Sequence, residues 1–418
     1  VGITQPGGPG TVIILYDDND ATNHAAGSPH TWAEIAASPF AADFVSNTAN
    51  VPQYKALQSV QLGNGANTTS LVDATDSCVT FANTKTLTFG GTSTARFLTL
   101  GTKIGTGNSA SGINGGTLDF GATTSLIANV KLYGAKLKQT VGVLSWSHGF
   151  GYSNGEACNC LFQSAVTGTQ PSTIGSAGGS PIDNIYNCTF SYATTSQMIA
   201  NFFVSNCERV TFSAASPLAT IQAGSPNVTM KDVVVVGTPT VADFRWAAAG
   251  AVDWRFVRPI FSGNAPKFAR VTGGGPSLTN PTWEMWSWDV KVVDRNGAAI
   301  ANIPVTLTDV DGVVLVNTTT DSSGAVTYGS GITAGFVPVV DHWLNGTTYA
   351  QHHRSPFTVN VNVGASKNAN YLSRTYKFYW PHYETYTTSS GQLEDLSDVV
   401  ALEDQSGAPT SWVELALP

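Results

Sequence analysis

Asn159-Cys160-Leu161-Phe162, then Asn187-Cys188-Thr189-Phe190, then Asn206-Cys207 with Val210-Thr211-Phe212 behind it, repeat one short phrase along a single stretch. Looser echoes stand at Asn227-Val228-Thr229-Met230 and Trp254-Arg255-Phe256-Val257. The Asn-Cys starts, at 159, 187 and 206, are 28 and 19 residues apart. Irregular repeats of roughly 20–30 residues, each a short strand and a polar turn, predict a stacked solenoid. Side chains alternate along a strand, so Cys and Phe two positions apart share one face. That face is expected to point inward and stack on its counterparts in the next coil. Asn tolerates the left-handed backbone that a sharp bend needs. Stacked Asn side chains can also bond along their column. The expected fold is all-β: a right-handed parallel β-helix over 56–282, followed by a small β-sandwich.

The composition agrees with turn-rich β structure. Charged residues are 11% of the 418, Gly numbers 42, and hydrophobic residues still reach 42%. Short helical possibilities exist only near 31–45 and 391–403. Net charge is −8 with Lys+Arg at 20, and no basic stripe appears, so nucleic-acid binding is not expected. No apolar run reaches the ~18 residues of a membrane span. No signal-peptide pattern opens the chain, which starts at Val1. The five cysteines (Cys78, Cys158, Cys160, Cys188 and Cys207) make an odd count, which argues against a complete disulfide framework. Cys158-x-Cys160 is not a zinc spacing, so the thiols read as small core hydrophobes. No metal and no cofactor are expected.

Residues 1–55 look unlike the solenoid and read as an N-terminal attachment segment. Thr11-Val12-Ile13-Ile14-Leu15-Tyr16 is a strand candidate there. The acidic run Asp17-Asp18-Asn19-Asp20 lacks the Gly and distal Glu of a calcium loop. Within 56–282, strands such as Cys78-Val79-Thr80-Phe81 and Thr86-Leu87-Thr88-Phe89 alternate with Gly, Asn and Ser turns. Each is too short to stand alone, so stacking must stabilise it. At the junction, Trp283, Trp286 and Trp288 read as a hydrophobic plug, or as a sugar-stacking ligand site. The last segment, 376–418, is an aromatic tail whose Tyr376, Phe378, Tyr379, Trp380, Tyr383 and Trp412 suit an oligomer or docking contact.

Between them, residues 283–375 carry Val290-Lys291-Val292-Val293-Asp294-Arg295-Asn296-Gly297, Ile303-Pro304-Val305-Thr306-Leu307, Asp309-Val310-Asp311-Gly312 and Thr320-Asp321-Ser322-Ser323-Gly324. Strands joined by Asn-Gly and Asp-Gly turns predict hairpins. This pattern resembles carboxypeptidase-regulatory-like and bacterial immunoglobulin-like modules. The resemblance implies an Ig-like or transthyretin-like β-sandwich and says little about activity, because such modules are spacers and adhesion units.

Many β-helices degrade polysaccharide, so paired carboxylates matter. A glycosidase needs two, roughly 5–10 Å apart. The candidates are Asp183, Glu208, Asp232 and Asp253, and no two share a repeat register. Solvated turn carboxylates account for all four. His342, His352, His353 and His382 lack a metal-ligand spacing. The chain reads more readily as a binding protein than as an enzyme.

Taken whole, the layout is similar to virion surface proteins of tailed bacteriophages: tailspikes, fibres and head-decoration proteins. The resemblance is architectural, without a motif match. It implies a homotrimer on the outside of a phage particle, contacting other virion proteins of capsid or tail and, through stacked turns and rings, a cell-surface glycan. Two other readings stand beside it: a polysaccharide-degrading tailspike, hydrolase or lyase, and a secreted bacterial adhesin.

Overall fold

The computed structural model describes residues 11–14, 36, 44–47, 53–62, 70–71, 78–81, 86–89, 93–95, 98–105, 111–113, 115–120, 124–127, 130–139, 144–147, 155–164, 172–174, 182–193, 198–214, 219–223, 227–237, 242–246, 253–261, 268–270, 281–345, 348–362, 371–379 and 396–402. These are almost entirely β-strand, with no α-helix among the described residues. The chain forms two compact units, residues 1–282 with 343–349 and residues 283–342 with 350–418.

In the first unit the chain visits three parallel sheets in rotation. Val130–Tyr133 lies in the first sheet, Ala135–Gln139 in the second and Leu144–Ser147 in the third. Glu156–Cys158, Leu161–Ser164 and Ser172–Ile174 repeat the circuit. Ile182–Tyr186, Thr189–Tyr192 and Ile199–Phe202 follow, then Val204–Glu208, Thr211–Ala214 and Ala219–Ala223, then Asn227–Lys231, Val234–Val236 and Ala242–Trp246. Each strand pairs with its counterpart one circuit away, so side chains line up in columns.

The inward columns make the core. In the first sheet Leu132, Ala157, Ile185, Cys207, Met230 and Phe256 stand in register and are all buried. In the second, Leu137, Phe162, Phe190, Phe212 and Val235 do the same. The Phe162 and Phe190 rings stack with centroids 4.3 Å apart, and Phe190 and Phe212 at 5.2 Å. Each such ring contributes about 1.5–3 kcal/mol by burial, and aromatic pairing adds ~0.5–1.5 kcal/mol. In the third sheet Trp146, Ile174 and Phe202 form one column, and Ile199, Ile221 and Phe244 another.

Between the first and second sheets the circuits from Leu98–Leu100 onward each turn at a residue with positive φ. Gly101 (78°), Gly134 (60°), Asn159 (55°), Asn187 (50°), Arg209 (55°), Asp232 (53°) and Arg258 (49°) form this rib. Backbone bonds tie it together: Asn159 N–H to Tyr186 O (3.0 Å), Asn187 to Glu208 O (2.9 Å), Arg209 to Lys231 O (2.9 Å). Asn159 and Asn187 take the bend as their residue type predicts. Asn206 does not. It lies inside a strand opposite Asn184, and the bend of its circuit falls on Arg209. The third Asn-Cys phrase is therefore not equivalent to the first two. Cys160 and Cys188 share a column with Val210 and Val233, whereas Cys207 stacks with Ile185. Cys158, Cys160, Cys188 and Cys207 are free and buried.

The parallel array reaches into the expected attachment segment. Thr11–Ile14 pairs in parallel with Ser59–Leu62, and Gln53–Ala56 with Cys78–Phe81. Two antiparallel pairs stand among these strands: Phe44–Asn47 with Gln53–Ala56, and Thr102–Ile104 with Ser111–Ile113, a hairpin inserted at a bend.

In the second unit Val314–Thr319, Pro304–Thr308, Phe357–Val361 and Arg374–Phe378 make a four-stranded antiparallel sheet. Leu396–Leu402, a stretch with a helical possibility by sequence, instead runs parallel to the strand Thr282–Asp294, Trp288 opposite Leu396. Alternation decides this: Val400 and Leu402 are buried and Val399 is exposed. Three turns repeat one design. Asp294, Asp309 and Asp321 each accept, at one carboxylate oxygen, the N–H groups two and four residues on, at 2.8–3.0 Å. The glycine three residues on (Gly297, Gly312 and Gly324, φ 82°, 81° and 78°) closes each turn on the Asp carbonyl.

Candidate functional site

Among the described residues of the first unit, the outward face of the first sheet brings together a run of charged and polar side chains. Register sets Lys131, Glu156, Asn184 and Asn206 in one column. Tyr133, Cys158, Tyr186, Glu208 and Lys231 stand in the next. Successive strands are ~4.8 Å apart, so these side chains touch along the columns.

The 102–113 hairpin closes over one part of this face. A Cβ on Gly112 would overlap Tyr133 Cβ, so only glycine allows the approach. Asn159 Nδ2 donates to Gly112 O at 2.9 Å. Lys103 Nζ reaches Glu156 Oε1, and Tyr133 OH donates to Glu156 Oε2 at 2.7 Å. Burial, with the Glu156 charge beside it, pushes the Tyr133 hydroxyl well above its ordinary range. The same two causes push the Cys158 thiol up to about 12. A neutral phenol and a protonated thiol are poor nucleophiles. The cluster ties the hairpin to the sheet face.

Beyond the hairpin the face is a run of matched polar groups. Asn206 Nδ2 donates to Asn184 Oδ1 at 3.1 Å. Lys231 Nζ stands 3.7 Å from Glu208 Oε1. On the rib, Asn187 Nδ2 donates to Asn159 Oδ1 at 3.2 Å, and Arg258 Nε pairs with Asp232 Oδ1 at 2.8 Å. The Arg209 guanidinium lies over the Tyr186 ring, 5.4 Å from its centroid.

The four candidate carboxylates are placed apart in role. Glu208 stands on the sheet face beside Lys231. Asp232 is a bend residue held by Arg258. Asp183 sits in the Ile182–Tyr186 strand, three residues before the Tyr186 that faces Glu208. Asp253 begins its strand opposite Asn227, and its side chain lies outside the described ones. The described geometry does not assemble a free pair from Asp183, Glu208 and Asp232. Lys103, Tyr133, Glu156 and Arg209 were not singled out by sequence. For Tyr133 and Glu156 a signal was available, since outward residues one and three positions before a bend recur from Lys131 onward; Lys103, in the inserted hairpin, and Arg209, on the bend itself, carried none.

The second unit holds a buried acid–imidazole pair. Glu284 and His342 are 1% and 0% exposed, with His342 Nε2 3.2 Å from Glu284 Oε2. Trp286 Nε1 donates to Glu284 Oε1 at 3.3 Å. Trp286 and Trp288 are buried, and Trp288 packs 6.2 Å from the Tyr328 ring, so neither offers its face as a sugar platform. Trp283 is half-buried. Nearby, burial first and the neighbouring His342 second push the His353 pKa down to about 4. Arg354 bridges Asp309 (2.6 Å) and Asp341 (2.9 Å), which locks one of the Asp–Gly turns to the strand Phe336–Asn345.

Of the aromatic residues expected at an interface, Phe378 is buried and stacked on Phe357 at 5.5 Å. It serves the four-stranded sheet rather than a partner. Tyr376 is half-buried and Tyr379 is 68% exposed. Trp380, Tyr383 and Trp412 lie outside the described residues. Among the described residues no group of three or more His, Cys, Asp or Glu could hold a metal ion. No helix among them is long and apolar enough to cross a membrane.

No protein-family description, no curated protein and no solved structure matches this chain.

Proposed function

We propose that the chain is a structural protein of a tailed-bacteriophage surface, acting by assembly and by binding rather than by hydrolysis. The three-sheet rotation and the inward columns of the first unit support a right-handed parallel β-helix, a rod that stacking makes rigid. The hairpin turns and antiparallel sheet of the second support an Ig-like or transthyretin-like β-sandwich, a module suited to spacing and adhesion. The observation that carries the binding role is the state of the carboxylates on the coils. Glu156, Glu208 and Asp232 each face a cation: Lys103, Lys231 and Arg258. A glycosidase would instead need an opposed pair with water or sugar between its members. The exposed Tyr379 supports a contact with another copy or with a neighbouring virion protein.

Quantitative mass spectrometry of purified particles tests this reading. A fixed ratio to the major capsid protein is expected, either near one or a simple fraction for a shell role, or a few to a few tens of copies for the tail. Absence from every particle would overturn it and leave the secreted adhesin. Light scattering on the purified chain is expected to give three times its 43.7 kDa mass.

A further inference from the structure

Arg209 is the anomaly of the rib. Its neighbours in the bend are glycine and asparagine, which take positive φ easily, or Asp232 and Arg258, which pair with each other across adjacent circuits. Arg209 holds a φ of 55° without such a pair. A left-handed backbone costs an ordinary L-residue roughly 1–2 kcal/mol. No carboxylate lies within ion-pair distance of its guanidinium among the described residues, and the residue is exposed. A strained, unpaired cation on a repeating scaffold is an outlier that asks for a ligand.

The surroundings narrow the class. The Tyr186 ring lies 5.4 Å from the guanidinium carbon, a cation–π contact that leaves the N–H groups of the fork able to meet a planar anion. Asn187, one circuit back on the rib, is also exposed, and one of its amide hydrogens goes to Asn159. Its second N–H and its carbonyl remain. Asn184 and Asn206 carry further amides on the sheet face. An amide both donates and accepts, as does a sugar hydroxyl. A guanidinium fork matches a carboxylate.

We propose that Arg209, with Asn187 beside it, is the anchor of a binding subsite for a sugar acid, a uronate whose carboxylate meets the guanidinium while its hydroxyls meet the amides. The proposal rests on the coil register and not on placement in a virion, so particle counts bear on one and sugar binding on the other.

Calorimetric titration with oligogalacturonate, and with the same oligomer methyl-esterified, tests it on the full chain. Wild type is expected to bind the free acid and not the ester. Arg209→Asn is the decisive variant, because asparagine suits the bend and the coil should fold as before, checked by a melting temperature no lower than that of wild type. It is expected to lose binding at least tenfold, while Arg209→Lys keeps part of it as a point charge without the fork. Failure of wild type to bind the free acid, equal binding of the ester, or unaltered binding by Arg209→Asn would each overturn the proposal. Should Arg209→Asn not fold, Asn187→Gly, which keeps the bend, read against the same pair of ligands decides: a severalfold loss for the acid supports the subsite, and no change overturns it.

Discussion

Asn187 donates an amide hydrogen to Asn159 across one circuit at 3.2 Å, and both residues hold a left-handed backbone, φ 50° and 55°. One residue type thus meets two demands at once. It permits the bend, and its side chain rivets that bend to the previous one. Each demand can be tested by removing it.

Asn187→Gly keeps the backbone freedom and removes the rivet, at a cost of about 0.5–1.5 kcal/mol for one hydrogen bond. Asn187→Ala removes both, adding roughly 1–2 kcal/mol of left-handed strain. In urea unfolding, alanine is expected to lower the midpoint clearly further than glycine. Equal midpoints would mean that the rib tolerates any residue and that Asn is there for its side chain alone.

The inserted hairpin offers a second test, since Gly112 meets Tyr133 without space for a Cβ. Gly112→Ala should lift the hairpin, drawing Lys103 away from Glu156 and exposing the Tyr133 hydroxyl. Two readouts are expected together: faster trypsin cleavage at Lys103, and a Tyr133 hydroxyl that ionises nearer its ordinary ~10. The hairpin is an insertion, so global stability should fall by no more than about 1–3 kcal/mol. Protection of Lys103 equal to wild type would show that the sheet face accommodates the methyl group.

How much of this was legible follows from how many jobs each residue has. Asn159 and Asn187 announced their bends because asparagine is one of few types at home there. Arg209, Asp232 and Arg258 occupy the same rib positions; aspartate tolerates the bend but serves many other turns, and nothing in an arginine signals a left-handed backbone. The phrase at Asn206 misled for a related reason. Its letters match the earlier phrases, but its register is set by the inward column, which places Cys207 on Ile185 and shifts the bend to Arg209. In the second unit the Asp-x-x-Gly turns were readable, since the carboxylate and the glycine each serve one local purpose. The Glu284–His342 pair was not, because 58 residues separate its members and only the fold joins them. The candidate carboxylates read as turn or surface acids. Glu208 and Asp232 each stand beside a basic partner, which their spacing alone could not reveal.

The second unit should lose stability in mild acid through His353. Its folded pKa is pushed down to about 4, by burial first and then by His342, with Glu284 acting in the opposite sense. An unfolded histidine titrates near ~6.5. Between these values the unfolded chain binds more protons than the folded one, so stability rises with pH across the window and falls as pH drops through it. The contribution is complete above about pH 6.5 and gone below about pH 4. His353→Gln keeps a polar side chain and removes the titration. Urea midpoints measured from about pH 7 down to about pH 4 are therefore expected to slope less steeply in the variant, the difference confined to that window. Parallel slopes would show that His353 does not set the acid sensitivity in this window, and Asp321 would not replace it there. Its hydrogen bond from Ser323 and the turn N–H groups hold its pKa low, and it loses its contribution only as pH falls below the usual carboxylate range.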